Sequence, residues 1–425
     1  MSLTDEKWEQ LFDRYEIGKK VSESGLFYIT ADQIREFKEP RLMTKFDTRE
    51  SLPGVFGSKL AILPVTRGKY VIGEFDLYKD FPEERTDIVR ISGTKLPDYF
   101  ETVDINDIRS EAAAINVMGI TGILEDFLEE ERLSSTVSGR MGSGNFQFQV
   151  QSADRKKMNV IDVNNSQVEI DGGFENRNIF ALIEGKNVVH SNFLVRQLYY
   201  PCRLWESRIK KPVRPVFMVY SNNIFRLMEY EFTDKNIYNS IRLIREKNYS
   251  LEDTDISMEE LCMVWRETSV QPEPPVTFIQ ADSFDKVISL VEKLNDAPMT
   301  RTETAELFGF NERQSDYYFS ACIYLGLAER GKDEDGTRKV FITPRGRKLL
   351  KENYKSRQLH YAGLMFEHRI FHELFEVIFK SGKLPDKPLI ERQIAGLHLC
   401  GESLIKRRAS SVSGWLKWLC NLTDS

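Results

Sequence analysis

Residues 179–186, IFALIEGK, constrain the fold more tightly than any other stretch of the chain. A near-continuous apolar run of this length suits a central strand covered on both faces. Yet it ends in Glu184 and Lys186, on the side shared by Phe180 and Leu182, because alternate residues of a strand share a face. A carboxylate and an ammonium at the end of a buried strand are costly unless something compensates them. Just upstream, Val168 to Asp171 alternates apolar and acidic residues, so Glu169 and Asp171 point one way while Val168 and Ile170 point the other. The Gly172-Gly173 turn then lets two neighbouring strands bring Asp171 beside Glu184. Lys186 follows roughly 6–7 Å further along the same face. Two carboxylates are hard oxygen ligands, so a divalent cation beside a bound phosphate suits the arrangement.

The flanking order of elements adds to this. Ile108 to Glu131 reads as a helix, with Ala112, Ile115, Gly119, Ile123 and Phe127 at helical spacing. Thr136 to Val150 alternates as a strand. Ser191 or Asn192 is expected to cap a helix carrying Phe193, Leu194, Gln197, Leu198 and Tyr200. Val213 to Tyr220 and Phe225 to Phe232 read as further strands. Helix, strand, strand, strand, helix, strand, with the spacing D-x12-E-x-K at Asp171, Glu184 and Lys186, resembles the PD-(D/E)XK nuclease superfamily. Ile170-Asp171 stands as a degenerate first half of its motif.

That resemblance implies an α/β (α+β) restriction-endonuclease-like core. Asp171 and Glu184, with the Gly185 carbonyl, would bind Mg²⁺, and Lys186 would orient the attacking water. It also implies a metal-site role for Glu111, which stands four residues before Ile115, and a contact to the centre or to DNA for Gln197. Glu169 reads either as an accessory acid or as a strand-edge charge.

With 425 residues the chain is long enough for two or three domains and ample core. Its net charge of −6 does not suit a non-specific nucleic-acid coat, but acidic faces can dominate the sum while basic residues cluster locally. Five scattered cysteines without a CxxC pair read as reduced thiols, not a disulfide framework or zinc site. No HExxH occurs; His368 and His372, four apart on an expected helix, read as structural. Residues 137–145, VSGRMGSGN, lack the G-K-[ST] ending of a phosphate-binding loop and read as a strand-to-strand bend. No apolar run reaches membrane-spanning length, and the N-terminus has no charged segment followed by an apolar one, so a cytoplasmic protein is expected.

Four segments are read along the chain. Residues 1–105 form an N-terminal α+β segment: helices over Glu6 to Tyr15 and Ala31 to Phe37, then a strand pair at Leu60 to Val65 and Lys69 to Phe75 around the Arg67-Gly68 turn. Lys59, Arg67 and Lys69 are either phosphate contacts or a solvated hairpin edge. Its ILPVTRGKYVIG pattern is similar to N-terminal segments of type II restriction enzymes. Residues 106–271 hold the motif, and Pro272 to Pro275 reads as a linker.

In 272–353, Phe284 to Leu294 is amphipathic, Thr300 with Glu303 forms a capping box, Gly309-Phe310 turns the chain, and Asn311 with Gln314 opens a helix to about Leu325. A polar tip, Asp333 to Thr337, joins two short strands, and Thr343-Pro344 starts another helix. This resembles a winged helix-turn-helix, which implies DNA contacts by Glu312, Arg313, Gln314, Tyr317 and Tyr318 and phosphate proximity for Arg338, Arg345 and Lys348; such modules also pair with proteins.

In 354–425, Leu389 to Leu397 and Glu402 to Leu419 read as two helices, with Ser403 as a cap. Lys406, Arg407 and Arg408 stand near the start of the second, where cations oppose the helix dipole. An anionic partner explains them; a dimer contact or core packing is the alternative. The ending SLIKRRASSVSGWLKWL also resembles tails of restriction enzymes.

Taken together the chain resembles a type II restriction endonuclease. Expected partners are double-stranded DNA, a second copy of the chain and, genetically, a cognate DNA methyltransferase, in a bacterial or archaeal cell. Two other classes stay open: a structure-directed nuclease of repair or recombination, and a non-catalytic helix-turn-helix regulator.

Overall fold

The computed structural model describes residues 3–83, 87–90, 99–105 and 107–423. The sequence boundary at 105/106 abuts residue 106, outside them. The chain divides into two compact units, Met1–Glu83 with Gly93–Tyr220 and Phe225–Lys247, and Glu84–Ser92 with Ser221–Ile224 and Asn248–Ser425.

The apolar strand expected at 179–186 sits inside a seven-stranded mixed sheet. Its members are β1 (Ser134–Gly142), β2 (Gln167–Glu175), β3 (Phe180–Lys186), β4 (Val213–Ser221), β5 (Ile224–Phe232), β6 (Ile241–Ser250) and the short strand Ile88–Arg90. The spatial order from one edge is Ile88–Arg90, β6, β5, β4, β3, β2, β1. Strands β2 and β3 are antiparallel, with Ile183 opposite Gly172 and Leu182 opposite Gly173, so the two glycines lie inside the paired strand and not in the expected turn, which falls at 176–179. Strands β3 and β4 are parallel, Phe180 opposite Val213 through Lys186 opposite Val219. A parallel pair needs a crossover, and helix α2 (Arg196–Glu206) lies on it.

Helix α1 (Glu111–Ile120) begins at Ser110, whose hydroxyl accepts the Ala113 amide. The single helix expected over 108–131 is two. Gly122 takes φ 75°, a left-handed conformation that glycine enters without penalty, and a second helix, Ile123–Leu128, starts there. The strand expected over 136–150 is also two. The chain bends at Ser143-Gly144, so β1 joins the large sheet while Asn145–Gln151 pairs with Met158–Asn164 in a separate ribbon.

Neither Ser191 nor Asn192 caps α2. Asn192–Leu194 is a short strand paired with Tyr78–Asp80, and the helix starts after Val195 without a side-chain cap. The Asn192 side chain is spent elsewhere: its amide donates to the Glu50 carboxylate and its oxygen accepts the Arg49 amide at 2.8 Å. The N-terminal strand pair, Leu60–Thr66 and Lys69–Glu74, forms as expected, with Leu26–Thr30 added as a third strand. Leu63, Val65, Val71 and Phe75 pack with Phe193, Leu198, Tyr199, Tyr200, Phe217 and Tyr230 in one core. Burial at ~1.5–3 kcal/mol for each large apolar side chain fixes the N-terminal segment against α2.

The second unit is mainly helical. Phe284–Asp296, α3 (Arg301–Phe308) and α4 (Glu312–Tyr324) follow in order, then the antiparallel pair β7 (Ala328–Lys332) and β8 (Arg338–Ile342). Both capping boxes form, Thr300 with Glu303 and Asn311 with Gln314, and Gly309 at φ 64° ends α3. Thr343 caps Pro344–Leu349. The last helix, α5, runs Ile405–Asn421 after a 3-10 turn at Glu402–Leu404; Ser403 does not cap it. Trp415 anchors it, edge-on to Phe284 and donating its indole N–H to the Ala281 carbonyl at 2.9 Å.

Pro272–Pro275 is pinned down and not a free linker: Glu273 accepts the Tyr324 hydroxyl at 2.7 Å, and the Gln271 amide donates to the Glu367 carbonyl. His368 precedes the helix Arg369–Ser381, buried and stacked on Tyr324 at 3.7 Å, as a structural histidine would be. The five cysteines are free. Among the described residues no helix is long and apolar enough to cross a membrane.

Candidate active site

The notch that builds the site is made by two glycines. A Cβ on Gly172 would meet the Ile115 Cγ2 atom at 3.0 Å, and one on Gly185 would meet its Cδ1 at 3.1 Å. Ile115 of α1 therefore sits directly on the β2–β3 pair beside Asp171 and Glu184. Glu111, one helical turn earlier on the same face, is carried to the end of the strands.

The β2–β3 pairing ends at Ile183 opposite Gly172, and the next residue along from each is Glu184 and Asp171. The Asp171 carboxylate accepts the Gly185 amide at 2.9 Å. Glu184, 7 % exposed, accepts on a single oxygen from the Lys186 ammonium at 2.7 Å and from the Gln197 side-chain amide at 2.5 Å. The residues that the motif spaced apart, Asp171, Glu184 and Lys186, thus meet with Gln197 of α2 and Glu111 of α1.

Negative charge is oversupplied here. Burial pushes Glu184 up to about 8; the Lys186 charge opposes the rise, and the charges of Asp171 and Asp47 add to it. Burial also raises Glu111, against Lys186 and with Asp171. Burial alone would discharge Lys186, but Glu184, Asp47 and Glu111 outweigh it and hold the ammonium protonated well above its ordinary range. Asp47, which is felt by both Glu184 and Lys186, had no motif to reveal it in the sequence. It is delivered by the N-terminal segment, whose Asp47 carbonyl accepts the Leu194 amide at 2.9 Å next to α2.

Acids whose charged form burial disfavours, with further carboxylates beside them, are the setting in which a hard cation is favourable. The Gln197 carbonyl oxygen supports the same reading, being buried without a hydrogen-bond partner. The donors therefore fit Mg²⁺ in kind. Among the described residues no three His, Cys, Asp or Glu side chains are already grouped to hold an ion. Lys186 occupies the Glu184 oxygen in this state. The group that the structure engages at Gly185 is its amide, not the carbonyl expected as a ligand. Glu169 is exposed and paired with Arg140 at 3.1 Å, as a strand-surface charge.

The residues expected at DNA divide into two sets. Tyr318 is not on an open face: it is buried, stacked on Phe310, and donates its hydroxyl to Asp282 at 2.9 Å. Gln314 is engaged in the Asn311 capping box, and Glu312 is paired with Arg301. Arg345 is paired with Glu367. Arg313, Arg338, Lys348, Lys406 and Arg407 are exposed, whereas Arg408 is buried. The basic start of α5 and the open side of α4 converge: the guanidinium carbon of Arg407 lies 5.4 Å from the Tyr317 ring centre, and that of Arg313 lies 5.7 Å from it. In the N-terminal hairpin, Lys69 lies over the Tyr28 ring at 4.7 Å, and Lys59 and Arg67 are exposed.

Three family models match the chain, each described as a domain of unknown function: DUF6996 over residues 5–72, DUF6997 over 73–250 and DUF7226 over 286–424. The site residues other than Asp47 fall within the second of these. No curated protein matches the chain, and no solved structure does.

Proposed function

We infer that the chain is a metal-dependent endonuclease of the PD-(D/E)XK type that cuts double-stranded DNA at a defined sequence, as a type II restriction enzyme does. The observation carrying this reading is the meeting of Asp171, Glu184 and Lys186 at the end of two paired strands, with Glu111 and Gln197 beside them. The order helix, strand, strand, strand, helix, strand around them is the order of that superfamily's core. The second unit supports sequence reading by its own order, in which three helices, the last two joined at Gly309, precede the hairpin β7–β8, an order that resembles a winged helix-turn-helix.

In this reading Asp171 and Glu184 would hold Mg²⁺, with Glu111 and the unpartnered Gln197 oxygen as further oxygen donors. When bound, the ion supplies charge stabilisation at the phosphate and lowers the pKa of a coordinated water. Lys186 acts as a cation, because its neighbours keep it protonated. An ammonium there stabilises negative charge growing on the phosphate oxygens and holds a water by its lone pair. It is not the base. Attack of the water oxygen on phosphorus breaks the bond to the 3′ oxygen and leaves a 5′-phosphate and a 3′-hydroxyl. Gln197 and Glu184 are locked to each other, so removing either side chain loosens the strand-helix junction that positions Lys186.

Lys186→Ala tests the assignment. It should abolish cleavage of plasmid DNA in Mg²⁺ while leaving duplex binding intact; wild-type cleavage by this variant would remove the site assignment.

A further inference from the structure

Away from the acidic cluster, the second unit contains a group of side chains with the opposite imbalance. Arg408, in the first turn of α5, is 5 % exposed, and its Nε has no hydrogen-bond partner among the described residues. The Tyr317 hydroxyl of α4 is likewise buried and without a partner. The two groups feel each other electrostatically, as does Arg407, whose guanidinium also covers the Tyr317 ring at 5.4 Å.

The nearby carboxylates are taken. Glu312 and Asp316 bind Arg301 at 2.7 and 3.1 Å, and Asp316 also faces Arg330 at 3.7 Å. Among the described residues none of Arg313, Arg407 and Arg408 has a carboxylate partner. Burial therefore depresses Arg408, with Arg407 adding to the effect and Cys400 and Tyr317 acting the other way. A buried guanidinium Nε and a buried hydroxyl that interact electrostatically, each without a hydrogen-bond partner among the described residues, are rare in folded proteins, because each unmade bond is costly.

We propose that Tyr317, Arg407 and Arg408 form a binding site for a phosphate oxyanion. A phosphate carries only acceptors at the oxygens presented, so it satisfies both orphaned donors and neutralises the buried guanidinium. Tyr317 matches the site to the ligand as a donor held on a rigid helix, while Arg407 closes it from the solvent side. The site shares no residue with the acidic cluster. If the ligand is a backbone phosphate of duplex DNA, that part rests on the nuclease reading; binding of free phosphate does not.

Thermal unfolding of the full chain in rising inorganic phosphate, with ionic strength held constant by chloride, tests this without metal or cleavage. The wild type should be stabilised by phosphate and not by chloride. Tyr317→Phe, which keeps the ring, and Arg407→Gln should each weaken the apparent phosphate affinity by about tenfold. No phosphate-specific stabilisation of the wild type, or an unchanged affinity in both variants, overturns the proposal even if the chain cleaves DNA. Anisotropy of a short labelled duplex in EDTA then separates the sources. Weaker duplex binding by the same two variants identifies a DNA backbone phosphate, and unchanged duplex binding identifies the free anion.

Discussion

Two groups of buried charges lie on the same sheet and differ in one respect. Around Glu229, every acid is matched: Arg214 meets both its oxygens at 2.6 and 2.9 Å, Arg245 lies 2.9 Å from it, and the neighbouring Glu246 has Arg226 at 2.7 Å. At the end of β3, Glu111, Asp171 and Glu184 gather around one buried ammonium, Lys186, while Asp47, which acts on the same group, has the exposed Lys45 at 3.7 Å as its own partner. Burial is comparable in the two places; stoichiometry is not. A balanced network needs nothing from outside, whereas an unbalanced one is stable only with acids partly protonated or with a cation bound. The second unit shows the mirror image at Tyr317 and Arg408, where donors outnumber acceptors. Imbalance, more than burial, is what sets these two places apart from the Glu229 network.

The largest expected effect breaks the comparison on the unbalanced side. Lys186→Ala should lower the cleavage rate by about 10²–10⁴, the usual worth of a positioned group at the reacting centre, a loss larger than its cost to stability because Glu184, once without the ammonium, takes up a proton. On the balanced side the pattern should invert. Arg214→Ala leaves Glu229 short of its two-point partner in a buried setting and should cost about 3–5 kcal/mol in urea unfolding.

Gly185→Ala sharpens the geometry. The added methyl would press Ile115 at 3.1 Å and Met218 at 3.3 Å, costing about 1–3 kcal/mol and displacing Glu111 with α1. The smallest effect is on pH dependence. Because Glu111 is raised above its ordinary value, the folded chain binds the proton more tightly than the unfolded one, so its contribution to stability falls as pH rises from the ordinary carboxylate range. Glu111→Gln should therefore gain stability relative to wild type at pH 7 compared with pH 4. An equal difference at both values would show that the acid is not crowded.

Much of this was legible in the sequence because it depended on local rules. The period of two in β2 and β3 put Asp171 and Glu184 on one side, and both capping boxes of the second unit announced themselves by their three-residue spacing. What was missed depended on distant partners. Asn192 has the composition of a helix cap, but pairing with Tyr78–Asp80 and the Arg49 amide claims it instead. Gly122 broke one expected helix into two, since a lone glycine in an apolar period does not reveal whether its φ is positive. Asp47 was invisible because only the packing of the N-terminal core onto α2 brings it to the site. Tyr318 and Tyr317 are neighbours in sequence, and nothing short of the packing of α4 on Phe310 says which of them is buried.

The central claim, that the crowded acids at the end of β3 are hydrolytic, is tested most directly by incubating the wild-type chain and Asp171→Asn with a fully sequenced phage DNA in Mg²⁺. Discrete, reproducible fragments from the wild type, absent in EDTA and absent from the variant, are the expected result. Identical fragments from Asp171→Asn, or intact DNA from the wild type across Mg²⁺ and Mn²⁺, would contradict it.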